Sequence, residues 1–213
     1  MLRAIRNAAI ALLLIGLPVA AETKTLLALG DSLTQGYGLP TEQGFVPQLQ
    51  AWLRAKGADV QVINAGVSGD TTSGGVSRLD WSLTPEVDAM IVNLGGNDLL
   101  RGIDPAQSRA NLDKILSTAT ARNLPVLLVG LRAPGNYGPE FKAAFDAIYP
   151  DLAEQYGADL EPDFFAPLIV PGEDRFEPDT MQPDGIHPNA AGVARIVAAM
   201  GPRVLDLLAR VPD

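Results

Sequence analysis

The chain has 213 residues, a formal net charge of −9 at pH 7, no cysteine and a single histidine. The negative charge argues against nucleic acids and anionic membrane surfaces as main partners, because like charges repel. Disulfides are excluded by the lack of cysteine, and with one histidine a zinc site is not expected. A chain of this length can bury the core of one ordinary domain.

The first residues have the pattern of a bacterial export signal. Two arginines precede an apolar run over residues 8–21, and a small residue, Ala21, stands before a plausible cleavage site. A membrane anchor is the alternative, but the run is shorter than the about 20 apolar residues that span a bilayer, and Pro18 interrupts it. We therefore expect a signal peptide over residues 1–21, one domain over residues 22–213, and a periplasmic or secreted protein without a stable membrane anchor.

Short apolar runs alternate with longer helical patterns along the rest of the chain. The predicted strands are Lys24–Leu29, Asp59–Asn64, Asp88–Gly95, Pro125–Leu131 and a weaker one over Ala158–Phe165. The predicted helices are Phe45–Gly57, Pro105–Asn123 after the cap Asp104, Pro139–Gly157 with an interruption at Pro150, and Ala190–Arg210 with a kink near Gly201 and Pro202. This alternation predicts an α/β fold built on a parallel sheet.

Polar and glycine-rich segments follow every predicted strand. In chain order they are GDSLTQGYG, NAGVSGDTTSGG, GGNDLLRG, LRAPGNYG and, after a long loop, DGIHP. The carboxyl ends of parallel strands share one edge of the sheet, which is where such folds bind ligands. Turn chemistry accounts for one or two segments of this kind. Five at the same edge predict a functional site.

The single histidine, His187, decides what chemistry that site can perform. A lone histidine is more often a structural polar residue, here one that opens the last helix, so a catalytic role depends on its neighbours. Ser32 follows the first strand, where it is either a helix cap or a nucleophile beside the unpaired N–H groups of a helix start. Asp184, three residues before His187, can accept the proton on Nδ1 and leave Nε2 to face Ser32. Together they predict a Ser–His–Asp triad for acyl transfer.

Two further residues are candidate donors to the oxyanion of an acyl-transfer reaction. Gly69 can present its backbone N–H without a side chain in the way, and Asn97 can present its side-chain amide. Each also has a structural explanation, a turn for Gly69 and a loop brace for Asn97. The sequence contains no G-x-S-x-G, P-loop, G-x-G-x-x-G or H-E-x-x-H motif, so a nucleophile elbow, phosphate or dinucleotide binding and a zinc peptidase site are not indicated.

These residues lie in four blocks that resemble the GDSL, or SGNH, hydrolase family. GDSLT contains Ser32, GVSGDTTSGG contains Gly69, GGND contains Asn97 and DGIHP contains His187, in the order that the family has them. The segments GDTTSGGVSRLDW, GGNDLLRG and LRAPGNYG are similar to its periplasmic subgroup of multifunctional acyl-CoA thioesterases, proteases and lysophospholipases, also called arylesterases. The resemblance implies a flavodoxin-like three-layer sandwich with a five-stranded parallel sheet.

The resemblance also implies a role for each matching residue. Ser32 would be the nucleophile, His187 the base and Asp184 its partner, and the oxyanion would be held by Ser32, Gly69 and Asn97. The substrate would be a small acyl ester or thioester, and no metal or cofactor would be required. The loop LRAPGNYG would line an acyl pocket, and the candidate substrate-binding residues are Leu131, Gly135, Asn136, Tyr137 and Ile186.

Several polar and aromatic residues near the motifs have structural interpretations. We expect Asp31 and Asp98 to be acceptors that brace their turns rather than catalytic acids. Arg78 and Arg101 are expected to be solvated or paired locally rather than to attract an anionic head group or coenzyme A phosphates. The two tryptophans, Trp52 and Trp81, are expected in the core or on a partly buried surface.

Two other functions stay open on the residues alone. The same chemistry would serve a carbohydrate or cell-wall O-acetyl esterase, because one fold can host both substrate classes. A periplasmic binding module without turnover is the second alternative, although the complete set of candidate catalytic residues argues against it. A monomer is expected in either case.

Overall fold

Five parallel strands form a single sheet in the computed structural model, which describes residues 23–173 and 175–212. The strands are β1 Lys24–Gly30, β2 Val60–Gly66, β3 Ala89–Asn93, β4 Val126–Val129 and β5 Asp159–Glu161. They lie in the order β2-β1-β3-β4-β5, and every neighbouring pair is parallel. The predicted fold class is thereby confirmed, whereas the predicted signal peptide lies outside the described residues.

Helices cover both faces of this sheet, so its central strands are apolar throughout. All residues of β3 and β4 are buried, which explains why they appear in the sequence as continuous apolar runs. The helices are α1 Ser32–Gln35, α2 Phe45–Ala55, α3 Thr72–Ser82, α4 Gly96–Leu100, α5 Pro105–Ala121, α6 Pro139–Asp146, α7 Ile148–Tyr156 and α8 Ala190–Ala209. Helices α2 and α8 pack together in one layer, and α3, α5 and α7 pack in the other. No helix in the described part of the chain is long and apolar enough to cross a bilayer.

Helix α3 was not predicted, because its glycines and hydroxyl residues have the composition of a loop. Thr71 caps the helix by accepting a hydrogen bond from the N–H of Gly74 at 3.4 Å. Gly75 is buried inside the helix, and a Cβ there would overlap Leu94. The glycine therefore serves close packing against the segment after β3, and this packing outweighs its poor helix propensity.

Two predicted elements are shorter than their sequence patterns suggested. The helix expected over residues 139–157 is divided at Ala147 into α6 and α7. Pro150 lacks the N–H that would bond to the carbonyl of Asp146, so the break occurs one turn before the proline rather than at it. Strand β5 ends at Glu161 because Pro162 has no N–H to continue the ladder.

The two tryptophans differ in their surroundings. Trp52 is partly buried and packs against Gly201 of α8, as expected for a residue beside the core. Trp81 is 83% exposed, so the expectation that it is buried or partly buried was wrong. It lies in the last turn of α3, on the side away from Leu79 and Ser82, which are buried. Helix α8 continues across Gly201 and Pro202 as one element.

The strand order places a crevice at one edge of the sheet. Strand β1 pairs with β2 on one side and with β3 on the other, so the connections that leave β1 and β3 diverge to opposite faces. Ser32 directly follows β1, and Asn97 follows β3. The fold therefore brings the first and third sequence blocks together at the point where open α/β sheets bind ligands.

Arg78 of α3 fixes the carboxyl ends of two strands at this edge. Its guanidinium donates hydrogen bonds to the carbonyl oxygens of Gly30 and Ala65, each at 2.7 Å, and to the Asp70 carboxylate at 2.6 Å. The side chain is 17% exposed, so these interactions are shielded from water. As expected, the arginine is paired locally, and it anchors the turns that carry Ser32 and Gly69.

We predict that Arg78→Met lowers the free energy of unfolding by about 2–3 kcal/mol, because two strand-end carbonyls and a carboxylate lose a charged donor. Urea denaturation monitored by circular dichroism measures this loss. The matched control is Arg109→Met, which breaks the exposed ion pair with Asp151 and is expected to cost less than about 1 kcal/mol. Equal losses in the two variants would contradict the anchoring role.

Candidate active site

The turn between β1 and α1 presents Ser32 at the edge of the sheet. Asp31 precedes it and caps α1, its Oδ1 accepting a hydrogen bond from the N–H of Leu33 at 3.0 Å. Ser32 is the first residue of this one-turn helix, so its backbone N–H has no partner within the helix. The capped turn therefore holds both the hydroxyl and the N–H of Ser32 close to the crevice.

A continuous hydrogen-bond chain joins the three residues of the predicted triad. Ser32 Oγ lies 2.9 Å from Nε2 of His187, and Nδ1 of His187 lies 2.7 Å from Oδ2 of Asp184. The serine and the histidine are 155 positions apart in the chain. The structure therefore brings together the three side chains that the sequence singled out, in the order that acyl transfer requires.

The loop that carries Asp184 stabilises its negative charge. Its Oδ1 accepts hydrogen bonds from the backbone N–H groups of Ile186 and His187, both at 3.0 Å. The N–H of His187, then its imidazole, then the N–H of Ile186 lower the pKa of Asp184 to about 2. The carboxylate consequently stays ionised at any pH near neutrality, where it can orient the imidazole and stabilise its protonated form.

Gln182 connects the histidine loop to the loop after the nucleophile. Its side-chain Nε2 donates to the carbonyl oxygens of Tyr37 at 2.8 Å and Pro188 at 3.0 Å. Its backbone N–H donates to the carbonyl of His187 at 2.8 Å. The Tyr37 ring in turn lies 4.7 Å from the imidazole, centroid to centroid. The sequence analysis missed Gln182 because a single glutamine in a loop carries no local signal of such a bridge.

The three predicted oxyanion donors are the backbone N–H groups of Ser32 and Gly69 and the side-chain amide of Asn97. The backbone N–H groups of Ser32 and Gly69 have no hydrogen-bond acceptor within the described residues. Gly69 has φ +84°, a conformation that favours glycine, and its carbonyl is held by the Arg101 guanidinium at 2.8 Å. Asn97 Nδ2 has one long hydrogen bond, 3.4 Å to Oδ2 of Asp31, and its second N–H remains available.

A cavity of about 440 Å³ opens beside the triad and is lined mainly by apolar side chains. Of the candidate substrate-binding residues, four line it: Leu131, Asn136, Tyr137 and Ile186. Gly135 does not line this cavity and instead borders a neighbouring hollow of about 470 Å³. Gly69 is also outside the lining, in the loop after β2.

Several apolar residues of the cavity wall were not predicted from the sequence. Leu33, Leu99 and Leu100 stand one to three positions after the serine and asparagine of their motifs, so their proximity was a usable signal. Phe165 ends the segment predicted as a weak fifth strand, which in the structure stops at Glu161, and Phe176 lies in the long connection to the histidine, where no periodic pattern marks it. No cluster of three or more potential metal ligands occurs within residues 23–173 and 175–212.

Two buried carboxyl groups, those of Asp31 and Asp98, accept hydrogen bonds next to the site. Asp98 accepts hydrogen bonds from the N–H and hydroxyl of Thr72 and from the hydroxyl of Ser108, at 2.9, 2.6 and 3.0 Å. Asp31 is 2% exposed, and burial raises its pKa to about 6 against the lowering effect of the Leu33 N–H, the Asn97 amide and His187. Both are acceptors that brace their turns, which confirms the structural expectation.

Comparison with known proteins agrees with this fold and site. The model of the GDSL-like lipase/acylhydrolase family matches residues 28–195. Esterase TesA of Pseudomonas aeruginosa is 40% identical over 198 residues, which cover 92% of this chain and 96% of that protein. Thioesterase 1/protease 1/lysophospholipase L1 of Escherichia coli K12 is 40% identical over 171 residues, covering 80% of this chain and 78% of that protein.

A solved structure extends the comparison to three dimensions. The crystal structure of AlinE4, an SGNH-hydrolase family esterase, is 44% identical, with a TM-score of 0.71 and coverage of 89% of this chain and 98% of that one. The fold and the site thus define a serine hydrolase of the SGNH type. The chain belongs to the GDSL-like lipase/acylhydrolase family and is an enzyme of ester hydrolysis.

We predict that Asp31→Asn gains stability over the wild type as the pH rises. Because its pKa is raised to about 6, folded Asp31 keeps its proton between pH 4 and 6, whereas in the unfolded chain the same group is ionised. The wild type therefore loses free energy of unfolding as the pH rises through this window. The shift corresponds to about 3 kcal/mol, and the variant lacks this loss. Urea unfolding of both proteins at pH 4 and pH 7 tests the difference. A constant difference at the two pH values would contradict it.

Proposed function

We propose that this chain is an exported serine hydrolase that cleaves esters and thioesters of apolar acyl groups through an acyl-enzyme on Ser32. The observation that carries the proposal is the hydrogen-bond chain from Asp184 through His187 to Ser32, which ends at the wall of an apolar cavity. A serine hydroxyl is a poor nucleophile unless a base is within hydrogen-bond distance. The single histidine of the chain is that base.

The reaction follows from the geometry of these groups. Ser32 Oγ attacks the acyl carbonyl while Nε2 of His187 takes its proton, and the oxyanion is stabilised by the N–H groups of Ser32 and Gly69 and the Asn97 amide. The imidazolium then protonates the leaving alcohol or thiol. A water molecule, deprotonated by His187, attacks the acyl-enzyme, and the imidazolium then returns the proton to Ser32 Oγ as the carboxylic acid leaves. Neither a metal nor a cofactor takes part.

The cavity supports acyl groups longer than acetyl as substrates. Its volume of about 440 Å³ lies in the usual range of small-molecule sites. Leu33, Leu99 and Phe176 contribute apolar wall on which an acyl chain can pack. The names of the relatives, an esterase and a thioesterase/protease/lysophospholipase, support the same range of substrates.

We also propose that residues 1–21 direct the export of the chain. The basic start and apolar run over residues 1–21 support a signal peptide that is cleaved after about Ala21, with the folded enzyme released to the periplasm or outside. That location would separate the enzyme from cytosolic acyl-CoA. All proposed catalytic groups come from one chain, so a monomer suffices for activity.

We predict that Ser32→Ala lowers kcat for p-nitrophenyl butyrate by several orders of magnitude, about 10⁴-fold or more, because no other group can form the acyl-enzyme. Initial rates at pH 7.5 measure the effect. Ser77→Ala, at an exposed serine of α3, is the matched control and should retain the wild-type rate. Turnover by the Ser32 variant at a rate near that of the wild type would refute the mechanism.

We predict that kcat/KM rises along the p-nitrophenyl series from acetate to hexanoate. Each methylene buried in the cavity contributes up to about 0.8 kcal/mol, or about fourfold. The same assay on all esters, with laurate as the longest, gives the profile. A maximum at acetate with a steep loss for longer chains would instead favour an O-acetyl esterase, and binding of acyl chains without any turnover would favour a binding module.

A further inference from the structure

The Asn97 side chain poses a problem of orientation. A carboxamide has a donor end and an acceptor end of nearly equal size and shape. Only Nδ2 can stabilise an oxyanion, whereas Oδ1 in the same place would repel it. A second group must therefore distinguish the two ends if Asn97 is to act as a donor in every turnover.

Asp31 is the group that makes this distinction. Its Oδ2 lies 3.4 Å from Nδ2 of Asn97, and its Oδ1 is already occupied by the N–H of Leu33 at 3.0 Å. An ionised carboxylate can only accept hydrogen bonds, so it attracts the amide NH₂ and repels the amide oxygen. One N–H of the planar Asn97 NH₂ group then donates to Asp31, and the other N–H points away from Asp31. Asn97 itself lines the cavity beside Ser32.

We propose that Asp31 is a positioning residue, which orients the Asn97 amide so that its second N–H faces the oxyanion. The inference rests on the proposed function, in which Asn97 is an oxyanion donor. It assigns to Asp31 a task beyond the cap of α1. The hydrogen bond also ties the turn that carries the nucleophile to α4, which carries the donor.

The chemistry of the cap supports this assignment. A helix cap needs one acceptor oxygen, and asparagine or serine supplies it as well as aspartate does. A buried carboxylate costs more free energy in this position than a neutral cap does, because burial disfavours its charged form. Here burial raises the pKa of Asp31 to about 6, and the neighbouring Asp98 carboxylate raises it further, while His187 opposes the shift. The buried Tyr149 hydroxyl, whose pKa Asp31 helps to raise, donates to the carbonyl of Leu94.

Asp163 provides a matched control within the same protein. It is 3% exposed, and its Oδ1 accepts a hydrogen bond from the N–H two residues later, that of Phe165, at 3.0 Å. Burial raises its pKa as well. It therefore reproduces the cap geometry and burial of Asp31, but its charged partner is the Arg132 guanidinium and not a catalytic amide.

The test is a double-mutant cycle on kcat and KM for p-nitrophenyl butyrate, with Asp31→Asn, Asn97→Ala and the double variant. Asp31→Asn keeps the acceptor for Leu33 and the shape of the side chain, but its new NH₂ group can bind Oδ1 of Asn97 and so permits the reversed amide. We expect kcat to fall about 10- to 100-fold with KM within threefold. Asn97→Ala is expected to lower kcat by about 10²–10³-fold. The double variant should fall no further than Asn97→Ala, within about threefold, because the two residues act as a unit.

The outcomes separate this inference from the proposed function. If the losses in kcat multiply in the double variant, or if Asp31→Asn keeps the wild-type kcat, Asp31 does not act through Asn97 and the inference is wrong. If Asn97→Ala itself leaves kcat unchanged, the proposed oxyanion role of Asn97 is wrong, and the inference about Asp31, which rests on that role, is wrong with it. Asp163→Asn should keep kcat within about threefold in both the wild-type and Asn97→Ala backgrounds. Thermal unfolding followed by circular dichroism confirms that each variant is folded at the assay temperature.

Discussion

The hydrogen bond between Ser32 Oγ and His187 Nε2 is the interaction on which the whole site depends. It spans 2.9 Å and joins residues 155 positions apart, one directly after the first strand and one just before the last helix. Nothing local in either segment can bring the two side chains together. The parallel sheet does so, because it delivers the ends of β1 and β3 to one crevice, and the long connection after β5 returns the histidine loop to it. Arg78 and Gln182 then hold the participating loops in place.

At the carboxyl edge of the sheet, groups that serve the proposed reaction lack the apolar packing that stabilises the rest of the fold. The interior is a continuous apolar core in which the strands are covered on both faces. At the carboxyl edge the same fold keeps the N–H groups of Ser32 and Gly69 unpaired within the described residues and buries the carboxyl group of Asp31. Burial of the Asp31 carboxyl group reduces the free energy of unfolding whenever that group is ionised. The proposed oxyanion needs the free donors, since donors already in position require no reorganisation during the reaction.

The fold and the triad were predictable from the sequence for related reasons: the first four strands contain apolar runs, Ser32 directly follows the first of them, and the DGIHP block contains the only histidine. What depends on three-dimensional packing was not predictable. Glycines such as Gly75 are typical of turns, and only the packing of Gly75 against Leu94 explains why α3 forms there. The exposure of Trp81 was not predicted either, because it depends on which side of α3 faces the core. Gly135 belongs to the predicted acyl-pocket loop yet borders the adjacent hollow. Phe176 lines the cavity from a segment that has no periodic pattern at all.

The central claim, that Ser32 is the nucleophile of an acyl-transfer site, is tested most directly by covalent trapping. The enzyme is incubated with diethyl p-nitrophenyl phosphate, and its intact mass is measured, followed by peptide mapping. The account predicts one diethylphosphoryl group per chain, located on Ser32, with loss of esterase activity in proportion to labelling and no adduct on Ser32→Ala. An adduct on another residue that inactivates the enzyme, or full inactivation of the wild type with Ser32 unmodified, would contradict it.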